Sequence, residues 1–429
     1  MKKYQGILGL GLTALSLSMA AGQAPFTAGN LAVLQVGDGA APLAIGGTPL
    51  FLLEITPTGT IVQTIPVPTT TSGANHALVV RGTSTSVAHM NRSVNGQYLT
   101  FCGIDAPLGG ATSVSATPAA TNPRIIARVN SAGVIDTSTA LGDAYNADDI
   151  RCAVSVDGSA FWTTGTSATA STAGCRYSTF GATTSTQISS GPPTNTRFVG
   201  IANNQLYITS ASGTFLGVST IGTGLPTTSG ELTFYLNGFP TIGGTAAASP
   251  YDFYFADANT LYVCDDRGLA AVPTPGGVQK WVFNTGTSTW ELAYTLNSGL
   301  AFGPRGVVGK NTRAGVTLWV TGGESNAVTL ATVTDTGASS AFTVLATSPV
   351  NTAFRGIDFV PEGGGPAPCY PNCDASTSIP LLTANDFQCF LNAYASGLTY
   401  ANCDGSTSNP LLTANDFQCF LNAYATGCR

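Results

Sequence analysis

Short runs of apolar residues alternate with turn residues along most of the chain, from about residue 30 to residue 362. Many of these runs alternate apolar and polar positions, and Gly, Asn, Asp and Pro separate them. Alternation with a period of two, bounded by turn residues, is typical of β-strands. The apolar spacing that marks helices is absent from this region. The pattern therefore predicts an all-β body.

One unit recurs in this body: an apolar inner run, a turn, and a second run rich in Leu, Tyr, Trp and Thr. Copies lie at residues 92–101, 151–164, 198–209, 251–263 and 305–321, and an incomplete copy lies at 354–360. Units of about 50 residues with about four strands each are the signature of a β-propeller. We therefore expect these inner runs to line a central channel.

The incomplete copy at 354–360 indicates how the ring closes. Three strand-like runs near the N-terminus lack an inner strand of their own: Leu31–Val36, Leu50–Ile55 and 60–66. The run at 354–360 can serve as the inner strand of this first blade. Segments from both ends of the body would then close a propeller at residues 25–362. This arrangement predicts six blades, whereas seven would require another blade within residues 203–250. A β-sandwich or a β-solenoid is the alternative fold.

Several units carry an arginine at or just before the inner run: Arg92, Arg151, Arg197, Arg305 and Arg355. If the inner runs line the channel, these side chains can gather at one mouth of the ring. Such a cluster would suit a glycan or peptide that bears a carboxylate. In the alternative interpretation, each arginine pairs with an acid or a carbonyl of the neighbouring blade.

The N-terminus has the layout of a secretory signal peptide, predicted at residues 1–22. Lys2 and Lys3 precede an apolar stretch at about residues 7–20. This stretch is shorter than the roughly 20 apolar residues that span a bilayer. The sequence therefore predicts an exported protein, secreted or at the cell surface, without a transmembrane anchor. In an exported protein, cysteines are expected mainly to form disulfides, and this chain has ten. We expect the four cysteines of the body either to pair or to lie buried.

Charged residues make up only 9% of the chain, and the net charge is −6. So few Lys and Arg residues exclude the basic surface that nucleic-acid binding requires. The two histidines, His76 and His89, lack metal-site spacing, and neither a G-x-S-x-G elbow nor a Gly-rich phosphate loop occurs. The sequence thus favours a binding protein and leaves enzymatic activity open.

A Gly/Pro-rich linker at 363–368 precedes a tail that is duplicated with a period of 30 residues, 372–394 matching 402–424. Each copy reads as a loop followed by a helix, because its apolar positions recur at helical spacing. Two such short helices can bury their apolar faces only against each other. A core this small needs covalent staples.

The tail, residues 369–429, resembles the type I dockerin family, in the cysteine-bearing form found at the ends of bacterial secreted proteins. The repeats are 372–397 and 402–427. The resemblance implies a Ca²⁺ loop before each helix. It assigns the side-chain ligands to Asn372, Asp374, Ser376, Thr383 and Asp386 in the first repeat and to Asn402, Asp404, Ser406, Thr413 and Asp416 in the second. In the alternative interpretation, the tail is a disulfide-stapled helix pair without metal.

Six cysteines lie in this dockerin-like tail, and fifteen pairings are open to them. Our hypothesis joins Cys373 to Cys389, Cys403 to Cys419, and Cys369 to Cys428. The helices would present the same exposed residues twice, so a partner can dock in either orientation; in the first helix they are Ala384, Asn385, Gln388 and Asn392.

The sequence thus predicts an exported binding or scaffold protein with two functional parts. The propeller would recognise an extracellular ligand, and the calcium-binding tail would attach the protein to a protein partner or a component of the cell envelope. The alternative is a glycoside hydrolase or lyase that acts on extracellular polysaccharide and carries the same tail.

Overall fold

A computed structural model describes residues 24–189, 191–240, 248–271, 275–362, 370–374, 376, 382–403, 406 and 410–427. The predicted signal peptide and linker lie outside the described residues, as do Asp404, Cys369 and Cys428. Within the described part, the body is all-β and the tail contains two α-helices, α1 at Ala384–Ala395 and α2 at Ala414–Thr426. Short 3₁₀ turns lie at Val114–Ala116, Ala170–Thr172 and Thr399–Ala401.

The body consists of six four-stranded antiparallel sheets, which we number as blades in ring order. The strands of each blade are given from the innermost to the outermost. Blade 1 consists of Ala353–Phe359, Leu31–Val36, Leu50–Ile55 and Ile61–Pro66, and blade 2 of Met90–Arg92, Tyr98–Ile104, Arg124–Asn130 and Ile135–Leu141. Blade 3 consists of Ile150–Val154, Ala160–Gly165, Arg176–Thr179 and Thr186–Gln187, and blade 4 of Val199–Ala202, Gln205–Thr209, Val218–Ile221 and Thr233–Tyr235. Blade 5 consists of Pro250–Asp257, Thr260–Asp265, Gly277–Asn284 and Thr289–Leu296, and blade 6 of Pro304–Thr312, Gly315–Gly322, Thr329–Asp335 and Thr343–Thr347. A two-strand ribbon pairs Gly47–Thr48 with Val80–Arg81.

Each inner strand contacts the inner strands of the two adjacent blades, so the six sheets form a ring around a central channel. The prediction of a six-bladed β-propeller is therefore confirmed, and the sandwich and solenoid alternatives are wrong. The described residues between 203 and 240 form the outer strands of blade 4 rather than a seventh blade. In blade 1, the strand Ala353–Phe359 pairs with Leu31–Val36, from the other end of the body.

The apolar core lies mainly between neighbouring blades. Between blades 1 and 6, for example, Leu31, Leu53, Trp319 and Phe354 are buried in one cluster. This packing explains the low charge of the chain, because both faces of an inner strand are covered in a ring of sheets. The four body cysteines are also buried but unpaired, so the expectation of disulfides fails in the body and the expectation of burial holds; they are Cys102, Cys152, Cys175 and Cys264.

Candidate anion-binding site

Four of the five predicted arginines converge at one end of the channel. Arg151, Arg197, Arg305 and Arg355 each lie at or just before the start of an inner strand, and all four act electrostatically on His89. We call these four arginines and His89 the arginine mouth. Arg92 is not part of it, because it lies at the opposite end of its own inner strand.

Close backbone contacts between blades hold His89 in this position. The N–H of Gly356 donates to the carbonyl of Ala88 at 2.8 Å, and the N–H of His89 donates to the carbonyl of Arg151 at 3.2 Å. A Cβ atom at position 356 would lie 2.5 Å from the backbone nitrogen of Met90, so this approach requires glycine. The contact brings the backbone at His89 next to the strand that carries Arg355, whose charge acts on the His89 ring.

Each arginine of the mouth also bonds to a neighbouring blade. Nη1 of Arg151 donates to Oδ1 of Asn195 at 2.6 Å, and Nη1 of Arg197 donates to Oγ of Ser249 at 2.8 Å. These bonds bear out the alternative interpretation in part, since the arginines join adjacent blades as well as converging on the channel.

Arg305 and Arg355 make corresponding bonds. Nη2 of Arg305 donates to Oδ2 of Asp266 at 2.5 Å, and Nη1 of Arg355 donates to the backbone carbonyl of Glu324 at 2.9 Å. Asp266 also lies 4.0 Å from Arg197. One carboxylate therefore serves two of the four guanidinium groups.

Several nitrogen atoms of the mouth are buried without a hydrogen-bond partner among the described residues. They are Nε of Arg151, Arg305 and Arg355, Nη2 of Arg355, and both ring nitrogens of His89. Such atoms are rare in proteins, because an unmet buried donor costs about 1–3 kcal/mol. The side chain of Arg355 is 3% exposed, whereas those of Arg197 and Arg305 are 20% and 16% exposed. The mouth thus combines accessible guanidinium groups with a deeper, unsatisfied one.

His89 is neutral at physiological pH. Burial, and then the positive charges of Arg305 and the other three arginines, lower the pKa of His89 to about 3. The ring packs against Tyr251, with centroids 5.7 Å apart, and Tyr251 itself lies under Arg197 and Arg305. His89 thus adds one N–H donor to the mouth without adding a fifth positive charge.

This lowered pKa predicts how acid destabilises the protein. The unfolded chain takes up a proton at His89 near the ordinary pKa of 6.5, whereas the folded chain does so only near pH 3. The stabilising contribution is therefore complete above pH 6.5 and is lost progressively as pH falls toward 3, by about 1.4 kcal/mol per pH unit. In urea unfolding, we expect the free energy of unfolding to fall by about 2 kcal/mol less in His89→Phe than in the wild type when the pH is lowered from 7 to 5. An unchanged loss in the variant would contradict the burial of a neutral imidazole.

The opposite end of the channel holds a cavity of about 400 Å³, the channel pocket, which is lined by residues of blades 1 to 6. Its two carboxyl groups join adjacent blades: Asp252 accepts the N–H of Val307 at 2.9 Å, and Asp358 accepts the N–H of Arg92 at 2.6 Å. Burial raises the pKa of both carboxyls. These contacts give both groups a role in blade packing. Arg92 also forms an ion pair with Glu362 at 3.1 Å.

In the tail, two of the three hypothesised disulfides are present. Cys373 is bonded to Cys389 and Cys403 to Cys419, with Cα atoms 5.7 and 5.8 Å apart. The hypothesised bond between Cys369 and Cys428 lies outside the described residues. Each disulfide ties a loop to the helix that follows it.

Identical caps begin the two helices. Thr383 and Thr413 are the N-caps, and Asp386 and Asp416 close a capping box with them. The helices meet through stacked aromatic rings, with the centroids of the Phe390 and Phe420 rings 3.9 Å apart. The predicted partner-facing residues Ala384, Asn385, Gln388 and Asn392 are all exposed.

Sequence reasoning missed a second contact between the repeats. The hydroxyl of Tyr370 donates to the carbonyl of Tyr400 at 2.8 Å, the hydroxyl of Tyr400 donates to the carbonyl of Tyr370, and the two rings stack. The two tyrosines are 30 residues apart, which is the period of the duplication. That spacing was a usable signal that the repeat begins two residues before Asn372.

Among the predicted calcium ligands that the structure describes, the two asparagines occupy equivalent positions in the two loops. The side-chain nitrogens of Asn372 and Asn402 donate to the carbonyls of Ser376 and Ser406, at 2.9 and 2.8 Å. Their side-chain oxygens are buried without a hydrogen-bond partner among the described residues. Asp386 accepts the N–H of Thr383 at 2.8 Å and that of Asp374 at 3.2 Å. In the part of the chain that the structure describes, no three His, Cys, Asp or Glu residues cluster as metal ligands.

No family model and no curated protein matches the chain. Among solved structures, provisionally named 6-phosphogluconolactonases are similar. The one from Bacteroides uniformis has 11% sequence identity and a TM-score of 0.41, covering 77% of this chain and 100% of its own. The one from Bacteroides fragilis has 11% identity and a TM-score of 0.40, covering 77% and 98%. The extracellular domain of a provisionally named one-component system from B. thetaiotaomicron has 12% identity and a TM-score of 0.37, covering 70% and 35%. Similarity at this level makes no statement about activity.

Across the described ranges, no helix is long and apolar enough to cross a membrane.

Proposed function

We propose that the protein is an exported binding protein whose propeller takes up a carboxylate-bearing extracellular ligand at the arginine mouth. One observation carries this proposal: four arginines from different blades converge there, and the guanidinium groups of Arg197 and Arg305 are accessible from outside. Carboxylates match the planar fork of a guanidinium group, and each good charged hydrogen bond contributes about 1.5–3 kcal/mol. A glycan or peptide that bears such a group is the ligand class this chemistry fits.

The direction in which the chain leaves the body is compatible with this role. Glu362, the last described residue of the body, bonds to Arg92 at the end opposite the arginine mouth. A partner that holds the protein near this end of the body would leave the mouth free for a ligand.

The ligand proposal is tested by titrating the full chain with trigalacturonate, with its methyl ester as the uncharged probe. We expect the free acid to bind and Arg197→Gln to raise its Kd by about 10- to 100-fold, because one charge-assisted contact is lost. Arg92→Gln, which changes an arginine at the other end of the channel, is the matched control and should leave Kd unchanged. Equal binding of the acid and the ester, or loss of affinity in Arg92→Gln alone, would contradict the site.

For the tail, we propose a dockerin-like role: two Ca²⁺ loops that order a helix pair for attachment to a protein or an envelope component. The unpartnered side-chain oxygens of Asn372 and Asn402 support it, since an amide oxygen is a hard ligand that Ca²⁺ accepts. Asp374, Ser376, Thr383 and Asp386 would complete the first loop. The cation would supply only structural order.

Calcium titration of the full chain by calorimetry tests the loops. We expect binding in the wild type and its loss in the double variant Asn372→Ala/Asn402→Ala, since each loop then lacks its amide oxygen. The control Asn385→Ala/Asn415→Ala changes exposed asparagines in the same repeats and should bind normally. If the wild type gives no calcium-dependent heat, the tail is a disulfide-stapled helix pair alone.

A further inference from the structure

We propose that a small inorganic anion of halide type, with chloride as the reference ion, binds at the buried, unpartnered nitrogens of the arginine mouth, which belong to Arg355, His89 and the Nε of Arg151. This site is separate from the carboxylate site, which uses the more exposed Arg197 and Arg305. The bound anion would hold blades 1, 2 and 3 together. Arg355 lies in blade 1, His89 directly precedes the inner strand of blade 2, and Arg151 lies in blade 3.

The hydrogen-bond donors of this site point to an acceptor from outside the chain. The side chains of Arg355 and His89 are 3% and 1% exposed, so bulk water does not satisfy them. Nε and Nη2 of Arg355, Nε of Arg151 and both ring nitrogens of His89 lack partners among the described residues, and one of the two nitrogens of the neutral His89 ring is an N–H donor. Guanidinium groups carry donors only, so the arginines cannot satisfy one another.

The charge around these donors points to an anion. Arg151 and Arg355 form no ion pair with a carboxylate in the described ranges, whereas Asp266 is engaged by Arg197 and Arg305. The other nearby carboxyls are turned to neutral partners. Asp149 accepts a hydrogen bond from Ser84, and Glu324 accepts one from Thr329.

These carboxyls act on Arg151 and Arg355 electrostatically, without a direct ion pair among the described residues. Burial raises the pKa of Asp149 and of Glu324, while the charges of Arg151 and Arg355 oppose that rise. Uncompensated buried charges cost several kcal/mol each, and an anion between them removes that penalty. A single-atom anion accepts hydrogen bonds from any direction and needs little room.

Thermal unfolding of the full chain at constant ionic strength tests the proposal, with chloride replaced stepwise by methanesulfonate. A ligand that binds only the folded state raises Tm with the logarithm of its concentration, here by about 2 °C per tenfold increase above Kd. We expect this slope in the wild type, a loss of the slope in Arg355→Lys, and an unchanged slope in Arg92→Lys. Crystals soaked in bromide should show an anomalous peak beside Arg355 and His89.

The outcomes separate this site from the proposed function. A wild-type Tm that does not depend on chloride, or a bromide peak elsewhere only, would overturn the halide site while leaving trigalacturonate binding intact. If Arg355→Lys does not fold, His89→Phe, which keeps the ring packing and removes one donor, should lower the slope. Failure of trigalacturonate to bind, with the chloride slope present, would overturn the proposed function alone.

Discussion

Replacing Arg124 by methionine is expected to lower the free energy of unfolding of the propeller by about 3–5 kcal/mol. Arg124 is fully buried in blade 2, where burial lowers its pKa to about 10 and leaves it charged at neutral pH. Its guanidinium donates to four backbone carbonyls, those of Ser115, Asn122, Thr117 and Asp148, at 2.6–3.1 Å. Methionine fills most of the volume but leaves these carbonyls without a donor.

Urea unfolding of the full chain measures this effect, and Arg128→Met is the matched control in the same strand. Arg128 donates to one carbonyl, that of Gly158, and its guanidinium carbon lies 3.6 Å from the ring centroid of Phe180. Its loss should cost about 1 kcal/mol, the net value of one such hydrogen bond. Equal losses in the two variants would show that Arg124 does not organise the loops around it.

Removing the second tail disulfide, by Cys403→Ser with Cys419→Ser, is expected to destabilise the tail by about 3 kcal/mol. A cross-link that closes a loop of this length restricts the unfolded chain by about that amount. The bond joins residues 16 apart, and the core beneath it is little more than Phe390, Phe420 and their aromatic neighbours. The change is therefore a large part of the total stability of so small a unit.

Limited proteolysis followed by mass mapping reports on the tail without interference from the propeller. We expect cleavage in and around Ala414–Thr426 in the variant under conditions where the wild type resists, with the body unchanged in both. An intact second repeat in the variant would mean that aromatic packing alone holds the helix pair.

The fold could be predicted from the sequence because the same pattern of strands and turns recurs along the chain. Alternating apolar runs predicted the strands Leu31–Val36 and Leu50–Ile55 with the bounds that the structure has, and the recurring unit predicted six blades. The apolar positions that recur at helical spacing in each copy also predicted the two tail helices.

The site was less readable, because it depends on contacts between segments that are distant in sequence. His89 looked like an isolated histidine, and only its contact with the strand around Gly356 places it among the arginines. Arg92 shares the sequence position of the other arginines relative to the recurring unit, yet lies at the other end of the channel. A shift of a few residues along a strand was enough to separate it from the cluster.

The location of a bound carboxylate tests the central claim most directly. A crystal structure of the full chain with trigalacturonate is expected to place a carboxylate within hydrogen-bond distance of Arg197 and Arg305. A ligand seated instead in the channel pocket, beside Arg92 and Asp358, with the arginine mouth empty, would contradict the account.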